Sequence, residues 1–160
     1  MEEIIFLPIS FFKSHSIIKT SAKAEIIFQS SGTTSTKSSK HLVVNKKIYE
    51  YSFRKGFEKF YGNIEDYRIL CLLPNYLEQT NSSLIYMCND LIKKSKNSQS
   101  GFYLDNLEEL SNVLKEDCNT LLIGVSYALL DLVEHTSFNL ANTIVMETGG
   151  MKGRRKELVK

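Results

Sequence analysis

Apolar residues along this chain fall into two patterns, short unbroken runs and longer stretches with helical spacing. The runs are Ile26-Ile27-Phe28, residues 67–73, residues 120–125 and residues 142–146. Their β-branched, aromatic and aliphatic content fits strands, buried ones at residues 67–73 and 120–125, and Gly101 to Leu104 supplies a shorter one. The first helical stretch is capped by Asn45, runs to about Tyr61 and stops at Gly62. Ile48, Tyr49, Phe53, Phe57, Phe60 and Tyr61 are expected to form its apolar side. A second opens at Asn81, Ser82 or Ser83 and sets Leu84, Met87, Cys88, Leu91 and Ile92 on one face. Asn106 and Glu109 make a capping-box-like pair for a third, with Leu107, Leu110, Val113 and Leu114 inward. A fourth leads from Ser126 through Ala128, Leu129, Leu132 and Val133. Before all of these, Pro8 sets an extended segment followed by a short helical turn.

Strands alternating with amphipathic helices predict an α/β fold with a mostly parallel, doubly wound sheet and right-handed crossovers. The 160 residues are enough for one ordinary domain, and no repeat or linker divides them. In such a sheet ligands bind beyond the carboxyl ends of the strands. The post-strand turns are Ser30 to Ser35, Pro74 to Glu78, Ser126-Tyr127 and Glu147 to Gly150.

The first of these turns has an unusual composition. Ser30, Ser31, Gly32, Thr33, Thr34 and Ser35 are small hydroxyl residues around one glycine, with almost no apolar surface to bury. Such a run can present backbone N–H groups and hydroxyls to an anion, with Gly32 free to take the positive φ of a concave nest. The bland alternative is a flexible surface turn. The P-loop pattern fails, because Lys37 stands where its second glycine belongs, and the dinucleotide fingerprint fails because the next glycine is Gly56.

Charge changes little in this picture. Eighteen acidic against twenty basic residues point to no particular partner. The run Lys152, Arg154, Arg155, Lys156 lacks interleaved aromatics, which argues against nucleic acid. Cys71, Cys88 and Cys118 have no paired spacing, so no cysteine zinc motif is present and a reducing compartment is expected. His15 and His135 have no neighbouring ligand cluster, and no metal site is expected from them. No apolar stretch approaches the roughly 20 residues of a membrane helix. An acidic start and Pro8 argue against a signal peptide, so a cytoplasmic protein is expected.

Ser30, Ser31, Gly32, Thr33 and Thr34 resemble the phosphate loop of adenylate-forming enzymes, with Ser35 replacing the final glycine. Three further stretches narrow the resemblance: Phe6 to Lys13, Ser39-Lys40-His41, and Met146 to Gly153. Together they resemble the LuxE-type acyl-protein synthetases, which are similar to phenylacetate–CoA ligases. The resemblance implies ATP- and magnesium-dependent activation of a carboxylic acid, here a fatty acid, as an acyl-adenylate. The acyl group would then pass to a thiol of a protein or of coenzyme A.

Within that resemblance, residues 30–35 would hold the β- and γ-phosphates by charge stabilisation. Gly149 and Gly150 would bring bare backbone against the adenine plane. Lys152 would approach the phosphates or the acyl-adenylate, or else remain solvated. His41 would orient the loop or touch the ligand. The family's aromatic-Gly-x-Thr-Glu motif, whose glutamate holds magnesium, is not in the sequence. Tyr61-Gly62-Asn63-Ile64-Glu65 imitates it but precedes a strand instead of following one, so it reads as a helix terminus. The magnesium ligand would thus lie outside this chain, as would the ribose-binding aspartate, the catalytic lysine and the acylated cysteine. Residues 1–160 are therefore expected to be one incomplete adenylating domain, part of the large N-terminal domain of such an enzyme. Cut faces are expected to favour self-association. The alternative is a non-catalytic nucleotide-binding or interaction fragment, and an in-frame continuation carrying the missing motif would separate the two.

Overall fold

Helix starts follow the capping chemistry of the sequence. In the computed structural model, which describes residues 6–18, 21–30, 38–73 and 81–149, Asn45 Oδ1 accepts the Lys47 N–H at 3.0 Å. That opens α2 (Lys46–Tyr61), and Gly62, at φ 90°, ends it. Ser82 caps α3 (Ser83–Ser95) by accepting the Ile85 N–H. Asn106 caps α4 (Leu107–Leu114), accepting the Glu109 N–H at 3.1 Å while its amide donates to the Glu109 carboxylate. A short helical turn α1 (Phe11–Ser14) follows Pro8, and α5 (Ser126–His135) starts directly from the strand before it.

Four strands, β3 (Arg68–Leu72), β4 (Gly101–Phe102), β5 (Thr120–Val125) and β6 (Thr143–Thr148), form a parallel sheet in the order β4–β3–β5–β6. The chain therefore leaves β3 toward one side and returns past it to the other. Right-handed crossovers put α3 on one face and α4 and α5 on the other, in keeping with the packing of α3 on α2 and of α4 on α5. Every residue of β3 and β5 is buried, as central parallel strands require. The core around them draws on Phe57, Ile85, Cys88, Leu91, Leu110, Leu114, Ala128 and Leu132.

The structure differs from the sequence reading in three places. The strand that leads into the serine-rich loop, β1 (Ile26–Gln29), does not join the parallel sheet. It pairs antiparallel with β2 (Lys40–Val43), a strand the hydrophobic pattern does not reveal, and the two form a separate hairpin. Lys40 and His41 are exposed and polar, so only Leu42 and Val43 of β2, half-buried, carry an apolar signal. Ile48 and Phe60, expected on the apolar side of α2, are instead exposed, because among the described residues only part of that helix finds a packing partner; Val133 of α5 is exposed as well. Ile85, off the expected stripe, is buried in α3.

The hairpin is fixed to the main body by aromatic contacts. Phe28 lies 5.0 Å from Tyr49 of α2 and 5.6 Å from Tyr86 of α3, between ring centroids. Arg54 of α2 makes a two-pronged bond to Asp90 of α3, and Tyr86 donates to Glu50 at 2.6 Å. The Asp90 bond keeps the Arg54 guanidinium more firmly protonated than usual.

Cys71 and Cys88 are buried free thiols, whereas Cys118 is half-exposed. Burial and the neighbouring Cys88 push the Cys71 thiol well up, which suppresses its thiolate. Iodoacetamide at mildly alkaline pH is therefore expected to label Cys118 alone in the native protein and all three cysteines after unfolding. Mass spectrometry reads the count, and native labelling of Cys71 would contradict the packing.

Candidate functional site

The carboxyl ends of β3 and β5, where the strand order reverses, are where an open α/β sheet holds ligands. β5 delivers Ser126 to that end, and β6 delivers Glu147, Thr148 and Gly149. Ser126 Oγ donates to Glu147 Oε1 at 2.5 Å and links the two strand ends. Just before this point, Gly124 lets α5 fold back closely, since an added Cβ would meet Leu129 at 2.7 Å. Among the described residues an added Cβ at Gly149 would meet nothing within 4 Å.

The hairpin reaches the same end of the molecule. The Gln29 N–H donates to Asn81 O at 2.9 Å, beside the start of α3, which follows the carboxyl end of β3. Tyr49 OH donates to Ser83 O at 3.1 Å in the same region, and burial raises the Tyr49 phenol. Beyond β1, Ser30 and Ser39 continue the pairing. The Ser30 N–H donates to Ser39 O, and Ser30 Oγ accepts the Ser39 N–H, both at 3.0 Å. Ser30 thus closes the neck of the loop, a role that the composition of the run did not reveal.

His41 sits on β2 opposite Phe28, and its ring stacks on Phe12 at 5.5 Å and 22°. Two of the separated stretches that carry the resemblance, Phe6 to Lys13 and Ser39 to His41, therefore meet in space. Ser31, Gly32, Thr33, Thr34, Ser35, Gly150 and Lys152 lie outside the described residues, as does the turn Pro74 to Glu78.

Tyr61 to Glu65 is a helix terminus, as its sequence context predicts. Tyr61 ends α2, Asn63 caps a 3-10 turn over Ile64–Asp66, and Glu65 pairs with Lys96 at 2.7 Å. All of this precedes β3, at the amino ends of the strands, so Glu65 is remote from the carboxyl-end site.

One cavity of about 160 Å³ opens at the carboxyl end, lined by Leu73, Phe102, Leu104, Asp105 and Asn106. It is too small for a nucleotide. Among the described residues no group of three His, Cys, Asp or Glu side chains converges on a point, and no helix is long and apolar enough to cross a membrane.

Comparison with known proteins adds no relative: no family model, no curated protein and no solved structure matches this chain.

Proposed function

We propose that this chain is part of the nucleotide-binding half of a carboxylate-activating enzyme of the acyl-protein synthetase type. The observation that carries the reading is spatial. The neck of the serine-rich loop lies beside the start of α3, the end of the sheet where Glu147 to Gly149 emerge. Two stretches far apart in sequence, both resembling parts of one nucleotide site, thus come to the end of the fold suited to ligands.

In this reading, residues 31–35 cradle the β- and γ-phosphates with backbone N–H groups and hydroxyls. The closed neck at Ser30 and Ser39 holds the loop's two ends together. Gly149, with no described residue near its Cβ position, suits close approach by a planar base. Bound ATP would supply the electrophilic α-phosphorus for attack by a carboxylic, and specifically a fatty, acid. The acyl group then goes to a protein or coenzyme A thiol, and the Mg²⁺ ligand lies in another part of the enzyme.

A fluorescent ATP analogue tests the reading on the 160-residue chain. Saturable binding that unlabelled ATP displaces is expected. Carboxylate-dependent exchange of pyrophosphate into ATP is not, because the aromatic-Gly-x-Thr-Glu motif is not among these residues. Failure of ATP to displace the analogue would remove the nucleotide assignment, and robust exchange would show that other residues replace the missing motif.

A further inference from the structure

Ser126 and Glu147 form a polar pair at the carboxyl ends of β5 and β6. Gly124 of β5 is in register with Glu147 of β6, so the two strands end side by side. Ser126, the first residue of α5, reaches across and donates its hydroxyl to Glu147 Oε1 at 2.5 Å. Glu147 is exposed, as is Gly149 two residues further on. Among the described residues, Glu147 Oε2 accepts no hydrogen bond, and no cation pairs with the carboxylate.

This pair governs where the charge of a bound nucleotide can lie. The amino end of a ten-residue helix such as α5 carries partial positive charge and attracts anions. Val125 stands at its capping position and offers no side-chain acceptor. The Glu147 carboxylate, held by Ser126, therefore supplies the negative charge at this helix end. A phosphate placed there would meet a like charge at close range. The serine-rich run presents no such obstacle, because no acidic residue stands between Ser30 and Ser39.

We propose that Glu147 sets the direction of the nucleotide, an inference that rests on the nucleotide site proposed above. Glu147 rejects phosphate at the β6 end and accepts one neutral donor of the nucleoside. Ser126 is a positioning residue that holds the carboxylate for it. A nucleoside carries such donors in its ribose hydroxyls and in the exocyclic amine of adenine. An ionised carboxylate accepts from either, and more strongly than a neutral acceptor does. Only β5 separates β3 from β6, so their ends lie about 10 Å apart, two strand spacings. A triphosphate bound by the loop beside the start of α3 can thus reach Glu147 with its nucleoside and keep its charge away.

Displacement of the fluorescent ATP analogue compares ATP with inorganic tripolyphosphate, which has the phosphates but no nucleoside. The parent chain is expected to bind both. Glu147→Ala is expected to weaken ATP about tenfold, the loss of one hydrogen bond to a charged acceptor. Tripolyphosphate should bind that variant as before, or more tightly. Ser126→Ala should weaken ATP by less, and Ser126→Thr, which keeps the hydroxyl, should restore it. Purine riboside triphosphate, 2′-deoxy-ATP and 3′-deoxy-ATP each lack one donor. The one whose binding is indifferent to Glu147→Ala identifies the donor that Glu147 receives. Circular dichroism checks the fold of each variant. The assignment fails if folded Glu147→Ala binds ATP like the parent, loses ATP and tripolyphosphate equally, or shows the same loss with all three analogues. A parent chain on which neither ATP nor tripolyphosphate displaces the analogue would instead remove the nucleotide site itself, and this role of Glu147 with it.

Discussion

Gly32→Val is expected to weaken ATP binding by about a hundredfold, or ~2.7 kcal/mol, while the fold survives. Within the proposed nucleotide site, the loop between Ser30 and Ser39 binds phosphate through its backbone. Concave nests of this kind need residues at positive φ, which valine resists because its Cβ is branched. The added side chain would also occupy the space that phosphate approaches. Stability should change little, because the sequence run Ser30 to Ser35 carries almost no apolar surface to bury. The neck at Ser30 and Ser39 and the packing of Phe28 on Tyr49 and Tyr86 hold the hairpin independently of residue 32. Ser35→Gly, which restores the residue usual in the resembling loops, should bind at least as well as the parent. Displacement of the fluorescent analogue measures both variants, with circular dichroism and a urea midpoint as folding controls. If the folded valine variant binds ATP like the parent, residues 31–35 are not the phosphate cradle.

The parallel sheet was legible from the sequence because its central strands are buried on both faces. Residues 68–72 and 120–125 carry enough aliphatic surface to stand out from their surroundings. The capped helices were legible for a different reason, since Asn45, Ser82 and Asn106 are local signals that tertiary packing does not overwrite. The hairpin was not. β1 pairs with β2 across an intervening sequence of small polar residues, and the polar Lys40-His41 leaves only Leu42-Val43 as an apolar signal in the partner strand. Which helix residues stay exposed was also hidden. Ile48, Phe60 and Val133 satisfy helical spacing, yet spacing alone does not say how much of a helix another element covers. At the candidate site, the sequence identified the turns but not their bonds. Ser126 and Glu147 lie 21 residues apart, and only the parallel register of β5 with β6 brings them together.

Arg68→Ala is expected to destabilise the protein by ~3 kcal/mol, combining lost hydrogen bonds with a cavity. Arg68 opens β3 and is 1% exposed, a rare position for an arginine. Its charge is tolerated there because polar partners surround it. Nε donates to Thr120 Oγ1 at 3.2 Å, and Nη1 donates to Gln99 Oε1 at 2.9 Å and to Glu116 Oε2 at 3.3 Å. Nη2 donates to the Glu116 carbonyl at 3.2 Å. These bonds tie the start of β3 to β5, to the segment before β4 and to the end of α4. Removing the guanidinium leaves the Glu116 carbonyl without this donor and empties a space between strands. The reverse deletion should cost less. The Glu116 side chain is 56% exposed, so water already screens its charge, and Glu116→Ala is expected to cost ~1 kcal/mol. Arg68→Met separates the two contributions of the arginine, since it refills most of the volume without a charge to desolvate. Recovery of about half the alanine loss is expected, because replacing a buried ion by a packed apolar side chain is often nearly neutral. Urea midpoints at an unchanged m-value give all three numbers. An Arg68→Ala variant within ~0.5 kcal/mol of the parent, the range of ordinary surface changes, would mean that the amino end of the sheet is held by something other than this network.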